Sequence, residues 1–282
     1  MSKIIVAIDF SESAINAFIH ALDIAHTIHT DMLLVWVSKD PKLADKYVPC
    51  PTDPTKDVEQ AFKDLIAEHQ PKLPGNTISY KIRKGKVYTE IAAEAKQQKA
   101  LMVVCGTHGA SGFEKFWIGS NANRMISACA CPVLTIRAGL KVSRPLKKIV
   151  MSIDSTQETR QKASFTAMLA KVFDAEIFII KLYTTKQKSI RQNVDLYASQ
   201  VERFLTHEGI RFNTVSEDSV NIATSIMNYG KKIDANLIAM MTEQENTAST
   251  LWLGPFAMQI VNQSPIPVLS IHPKDVYTAA GF

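Results

Sequence analysis

The chain has 282 residues, 46% hydrophobic and 21% charged, the make-up of a soluble globular protein with room for two domains that each bury a core. Its net charge of +5 is spread evenly, with 16 basic and 14 acidic residues through Leu140 and 16 and 13 beyond it, so neither half is a basic nucleic-acid module. No stretch is long enough to span a bilayer, Asp9 interrupts the short apolar run near the start, and four cysteines outline no disulfide framework; the expectation is a cytoplasmic protein.

The first half alternates short apolar runs with segments of helical period, the pattern of βα units around a parallel sheet. Residues 4–8 form a continuous apolar run, as in a strand covered on both faces. After Asp9 and a polar cap region at 11–13, apolar residues recur at helical spacing from Ala14 to Ala25. Strands are predicted at 32–37, 78–83, 101–105 and 133–136. Residues 38–56, with three prolines, read as an extended loop. Helices are predicted from Val58 to about Pro71, over 88–99, and over 120–129.

The second half repeats this order. Residues 3–9 read KIIVAID and 148–154 read KIVMSID; 131–137 read CPVLTIR and 266–272 read IPVLSIH. Strands are predicted near 149–153, 177–182, 211–215, 237–240 and 268–271, and helices near 157–173, 190–207, 221–232 and 256–262. Asp9 and Asp154 stand 145 residues apart, Gly119 and Gly254 135 apart, and the longer 38–56 segment accounts for the difference. The chain is a tandem duplication, divided as 1–140 and 146–282 with a short linker containing Gly139 and Pro145.

The two copies differ at their glycines. In the first, Gly106 and Gly109 flank Thr107 and His108 directly after a buried strand, and after nine intervening residues Gly119-Ser120 opens a helix. Glycine lets backbone approach a ligand, and a helix start offers unpaired N–H groups and a positive dipole end. Asp9, at the end of strand one, would flank the topological switch point together with Gly106, and Val37 at the end of strand two would supply an apolar wall. Taken singly, each residue also has a structural explanation. Glycine after a strand makes tight turns, Asp9 can cap the first helix, and His108, Lys115 and Trp117 suit an ordinary loop. Cys129-Ala-Cys131 lacks the companions of a metal site.

Together, Gly106-x-x-Gly109, nine residues, Gly119-Ser120 resembles the nucleotide motif of the universal stress protein family, as do VAIDFSES and CPVLTIR. The resemblance covers the chain as two modules. It implies two five-stranded parallel sheets of order 3-2-1-4-5, the adenine nucleotide alpha hydrolase-like fold, paired through their fifth strands into an internal pseudo-dimer. It also implies ATP or a related adenine nucleotide, with or without Mg2+, as a regulatory ligand. Asp9 and Val37 would hold adenine and ribose. Gly106, Thr107, His108 and Gly109 would line ribose and phosphates, and Gly119, Ser120 and Asn121 the phosphate tail. Dimerisation of the whole chain stays open.

The second copy departs from the motif, with Met241 and Gln244 in place of the first two glycines, Pro255 in place of the serine, and Glu243 where phosphates would lie. Proline has no N–H to offer an anion, so no ATP is expected there. The chain has no GxxxxGK[ST] loop, nucleophile–base pair or acidic metal cluster, which favours binding over turnover. Slow ATP hydrolysis, or a nucleotide-independent scaffold that takes an apolar ligand in the second half, are the alternatives.

Overall fold

The computed structural model describes residues 2–38, 54–107, 120–137, 139–140, 145–242 and 254–273. The first half runs β1 (Ile4–Ala7), α1 (Glu12–Ile28), β2 (Met32–Ser38), α2 (Pro54–His69), β3 (Ile78–Lys84), α3 (Val87–Gln97), β4 (Met102–Gly106), α4 (Ser120–Ala128) and β5 (Val133–Ile136). The second runs β6 (Lys148–Ile153), α5 (Lys162–Phe173), β7 (Glu176–Tyr183), α6 (Lys188–His207), β8 (Phe212–Asp218), α7 (Ile222–Lys232), β9 (Leu237–Met241), α8 (Pro255–Gln263) and β10 (Val268–Ile271).

Each half is a parallel sheet of order 3-2-1-4-5, and the two join into one ten-stranded sheet, β3-β2-β1-β4-β5-β10-β9-β6-β7-β8. At the join β5 and β10 run antiparallel, with Val133 opposite Ser270, Leu134 opposite Leu269 and Thr135 opposite Val268. Both strands are short, apolar and fully buried, so pairing them removes two apolar edges that would otherwise be exposed. Helices cover both faces. Alternate strand residues such as Ile4 and Val6 pack with α1, α2, α5 and α6, while Ile5 and its equivalents pack with α3, α4, α7 and α8.

Side chains reinforce the seam. His272, just past β10, reaches the Ile126 carbonyl in the last turn of α4 with Nε2, and its Nδ1 lies 2.8 Å from Thr242 Oγ1. Reciprocally, Arg137, just past β5, donates to the Gln263 carbonyl at the end of α8 (3.4 Å). Asn16 on α1 ties down the connection between halves by donating to the Leu140 carbonyl at 2.7 Å.

Two elements differ from the sequence prediction. Helix α2 begins at Pro54, inside the segment expected to be a loop; proline suits a first helical turn because its missing N–H has no intrahelical partner there. The helix expected over 157–173 is split into a 3-10 turn at Gln157–Arg160 and α5 from Lys162.

Candidate functional site

The carboxyl ends of β1, β2 and β4 form the switch point of the first half, because β1 lies between β2 and β4 while the chain crosses to opposite faces on either side. Ala7 pairs with Val35 and Val6 with Val104, so Asp9, Val37 and Thr107 come level a few residues further on. Val37 is buried and apolar, as a wall residue should be. Asp9 is exposed, and its Oδ1 accepts from Ser11 N–H (3.1 Å) and Ser11 Oγ (2.6 Å). Ser11 is the N-cap of α1, accepting from Ala14 N–H at 3.2 Å, so Asp9 braces the cap without being it. Phe10 between them takes a left-handed φ of 59° and packs its ring edge-on against Phe62. This turn fixes the Asp9 carboxylate at the mouth of the crevice.

Gly106 ends β4 in a crowded place. A Cβ there would come within 2.4 Å of Ser13 Oγ and 2.8 Å of the Ser13 carbonyl carbon. The sequence suggests that this glycine makes room for a ligand; the structure shows that it also makes room for the first turn of α1. Thr107 is buried, and its N–H donates to the Ile136 carbonyl (3.0 Å), extending the β4–β5 ladder. Ser120 is the first residue of α4 and exposed, and Asn121 beside it is half-buried. His108, Gly109 and Gly119 lie outside the described residues, as do Gln244 and Glu243 of the second half.

The second half preserves the outline and changes the contents. Asp154 makes the same turn as Asp9, accepting at Oδ1 from Thr156 N–H (2.8 Å) and Thr156 Oγ1 (2.5 Å). Register again brings Asp154, Leu182 and Thr242 level, the counterparts of Asp9, Val37 and Thr107. All three line one cavity of about 520 Å3. Among the described residues, the degenerate half therefore keeps a cavity at its strand ends.

Met241 stands where Gly106 stands in the first half. A helix turn seated as in the first half would collide with its Cβ, and here that turn is the 3-10 segment, with α5 starting at Lys162. Lys162 occupies the position of the fully buried Ala17 and is itself fully buried, with Nζ donating to Thr159 O (2.8 Å) and Thr159 Oγ1 (3.0 Å). Burial pushes its ammonium down to about 8, opposed by the Asp154 carboxylate nearby. Sequence reasoning gives this segment only as a helix over 157–173; the available signal for Lys162 is a cation inside a helix-period run. Helix α8 opens with Gly254 as N-cap and Pro255 at its first position, without a side-chain cap hydrogen bond.

Other chemistry is sparse among the described residues. Cys105, Cys129 and Cys131 are free, and burial pushes the Cys105 thiol up to about 12 and that of Cys131 up to about 11, far from a reactive thiolate. No described group of three His, Cys, Asp or Glu residues is placed to hold a metal, and no described helix is long and apolar enough to cross a membrane.

A sheet of this order with its crevice at the ends of β1 and β4 defines an α/β nucleotide-fold protein built twice, and comparison with known proteins gives the family. The sequence model of the Universal stress protein family matches residues 1–137 and again 145–272, and the chain belongs to that family. A universal stress protein of Methanocaldococcus jannaschii is 27% identical over 142 residues, covering 48% of this chain and 81% of its own length. One from Mycolicibacterium smegmatis is 29% identical over 141 residues, 48% of this chain and 45% of its own. Among solved structures, a universal stress protein from Archaeoglobus fulgidus superposes with a TM-score of 0.77 at 18% identity, covering 97% of both chains. A Pseudomonas aeruginosa structure described as a putative universal stress protein gives 0.67 at 17% identity, covering 97% of this chain and 94% of its own. At these identities the structures establish the shared adenine nucleotide alpha hydrolase-like fold.

Proposed function

We propose that the chain is a cytoplasmic stress-response protein that holds one adenine nucleotide, ATP or a close relative, in its first half as a regulatory ligand. The two functional units are 1–140 and 146–282. The observation that carries the reading is the contrast at matched positions. Asp9, Val37 and Thr107 stand level at the strand ends, as do Asp154, Leu182 and Thr242, but α4 opens with Ser120 and α8 with Pro255. The donor set suits a nucleotide only in the first half. Asp9 offers a carboxylate to ribose hydroxyls or the adenine amine, Val37 an apolar wall, and Ser120 a hydroxyl and N–H to a phosphate at a helix start. Gly106, Thr107, His108, Gly109, Gly119 and Asn121 complete the site, and any Mg2+ arrives with the phosphates. Free, protonated cysteines suit a reducing compartment. Binding is favoured over hydrolysis because no described nucleophile–base pair lies at the switch point.

The test is to denature purified full-length protein and quantify the adenine nucleotide released. Near-stoichiometric recovery is expected from the natural chain. Ser120→Pro copies the second half into the first, and proline is tolerated at a first helical position, so the fold should survive. Recovery should fall at least about tenfold, the cost of roughly one charge-assisted hydrogen bond. No nucleotide from either protein, or equal amounts from both, would sink the assignment. Sustained multiple-turnover phosphate release would replace a regulatory ligand with a slow hydrolase.

A further inference from the structure

Among the described residues, the cavity of the second half lacks the hydroxyl and the N–H that Ser120 provides at the start of α4, because Pro255 stands first in α8, yet it is not filled. Its volume of about 520 Å3 falls within the ~300–1,000 Å3 common for small-molecule sites. The inner wall is hydrocarbon and thioether, formed by the buried side chains of Leu182, Val194, Ile226, Met240 and Ile260. The outer part is acidic, where Asp154 and Glu158 line the cavity, both half-buried. The Glu158 carboxylate has no hydrogen bond or ion pair with another described residue.

Among the described residues, the positive charge near them is either buried or already paired. Arg191 also lines the cavity, but its guanidinium pairs with Asp218 and lies 3.9 Å from the centre of the Tyr183 ring. The Tyr183 hydroxyl donates to Asp195 at 2.5 Å, so this wall is already committed to its own network. Lys162 is buried behind Thr159 and is not among the lining residues. Pro255 contributes no N–H at the start of α8. An anion would therefore meet two carboxylates and, among the described residues, no unpaired lining side-chain cation, with only the Phe256–Ala257 end of α8 to attract it. A purely apolar occupant would strip water from those carboxylates without replacing it.

We propose that this cavity binds a small amphiphile, with an apolar body against the inner wall and a hydrogen-bond-donating head, hydroxyl or ammonium, at Asp154 and Glu158. This binding does not depend on nucleotide in the first half.

Nile red, an uncharged solvatochromic dye, probes the wall, and competitors sharing one chain but differing in head group probe the mouth. Full-length protein should raise Nile red fluorescence saturably at one dye per chain. Octanol and octylamine should displace it, and octanoate should need at least about tenfold more, as expected for a carboxylate set against carboxylates a few ångströms away. Ile222→Trp, at a half-buried lining position, should remove dye binding. Glu158→Lys, a change at a half-buried site with little risk to folding, should at least halve the ratio between octanoate and octylamine. The proposal is overturned if the dye does not saturate, if Ile222→Trp leaves binding unchanged, if octanoate competes as well as octylamine, or if ATP displaces the dye from this site.

Discussion

The two halves begin alike and diverge within one helical turn. Asp9 and Asp154 each accept from the backbone and hydroxyl of the residue two further on, so the exit from the central strand is the same. Beyond it, α1 starts at once over Gly106, whereas over Met241 the chain makes a 3-10 turn before α5. The residue at the end of the fourth strand governs how closely the neighbouring helix can seat. A glycine there lets the helix press onto the strand end, and a methionine obliges the turn to rebuild.

Exchanging residues between the halves breaks this comparison most directly. Gly106→Met would place side-chain atoms on Ser13 in a turn that has not been rebuilt, and should cost about 3 kcal/mol or more of stability in urea denaturation. Met241→Gly should cost less, since it leaves a partly exposed void with no clash.

Lys162→Met removes the other half of the rebuilt turn. Burial holds Lys162 at about 8 against an ordinary 10.5, so between those values the unfolded chain binds a proton that the native one does not. The cost of burying the charge is fully present at neutral pH and fades as pH rises through that window. The variant should therefore be more stable than the natural chain near pH 7, by up to roughly 3 kcal/mol before the lost Thr159 contacts are counted. That advantage should shrink when unfolding is repeated near pH 10.

His272→Ala tests the seam and not either half. It leaves the Ile126 carbonyl of α4 without its donor and should cost about 1–2 kcal/mol. Burial lowers the His272 imidazole below its ordinary 6.5, opposed by its bond to Ile126. As pH falls below about 6.5 the unfolded chain takes up this proton before the native one does, so the seam loses stability on acidification. Melting curves at several pH values should show a shallower acid decline for His272→Gln, which keeps a donor without the titration. The smallest expected effect is at the caps. Ser11→Ala should cost about 1 kcal/mol because it unseats a helix N-cap, and Thr156→Ala less, because Thr156 makes no such cap bond to the following 3-10 turn.

Much of this was legible in the sequence. The runs at 133–136 and 268–271 are short, apolar and β-branched, and the strands occupy those residues and form the antiparallel join. The parallel sheet followed from the repeated βα pattern, and the strand order from the family resemblance alone. What escaped prediction depends on contacts between distant residues. Gly106 carries a ligand-like signal, but its crowding by Ser13 arises only once α1 packs on β4. Pro54 lies in a proline-rich stretch that reads as loop, although a first-turn proline is compatible with helix. Whether the degenerate pocket is filled or open turns on where Met241 and the rebuilt turn settle, which no local spacing encodes. Asp9 divides the two kinds of evidence, since its sequence position suggests a helix cap and the structure gives that task to Ser11.

One scaffold carrying a single nucleotide site is the property to measure. Calorimetric titration of nucleotide-free, full-length protein with ATP measures it directly. One site per chain is expected, lost in Ser120→Pro and unaffected by Ile222→Trp in the second half. Two sites per chain, or one site that survives Ser120→Pro and vanishes with Ile222→Trp, would contradict it.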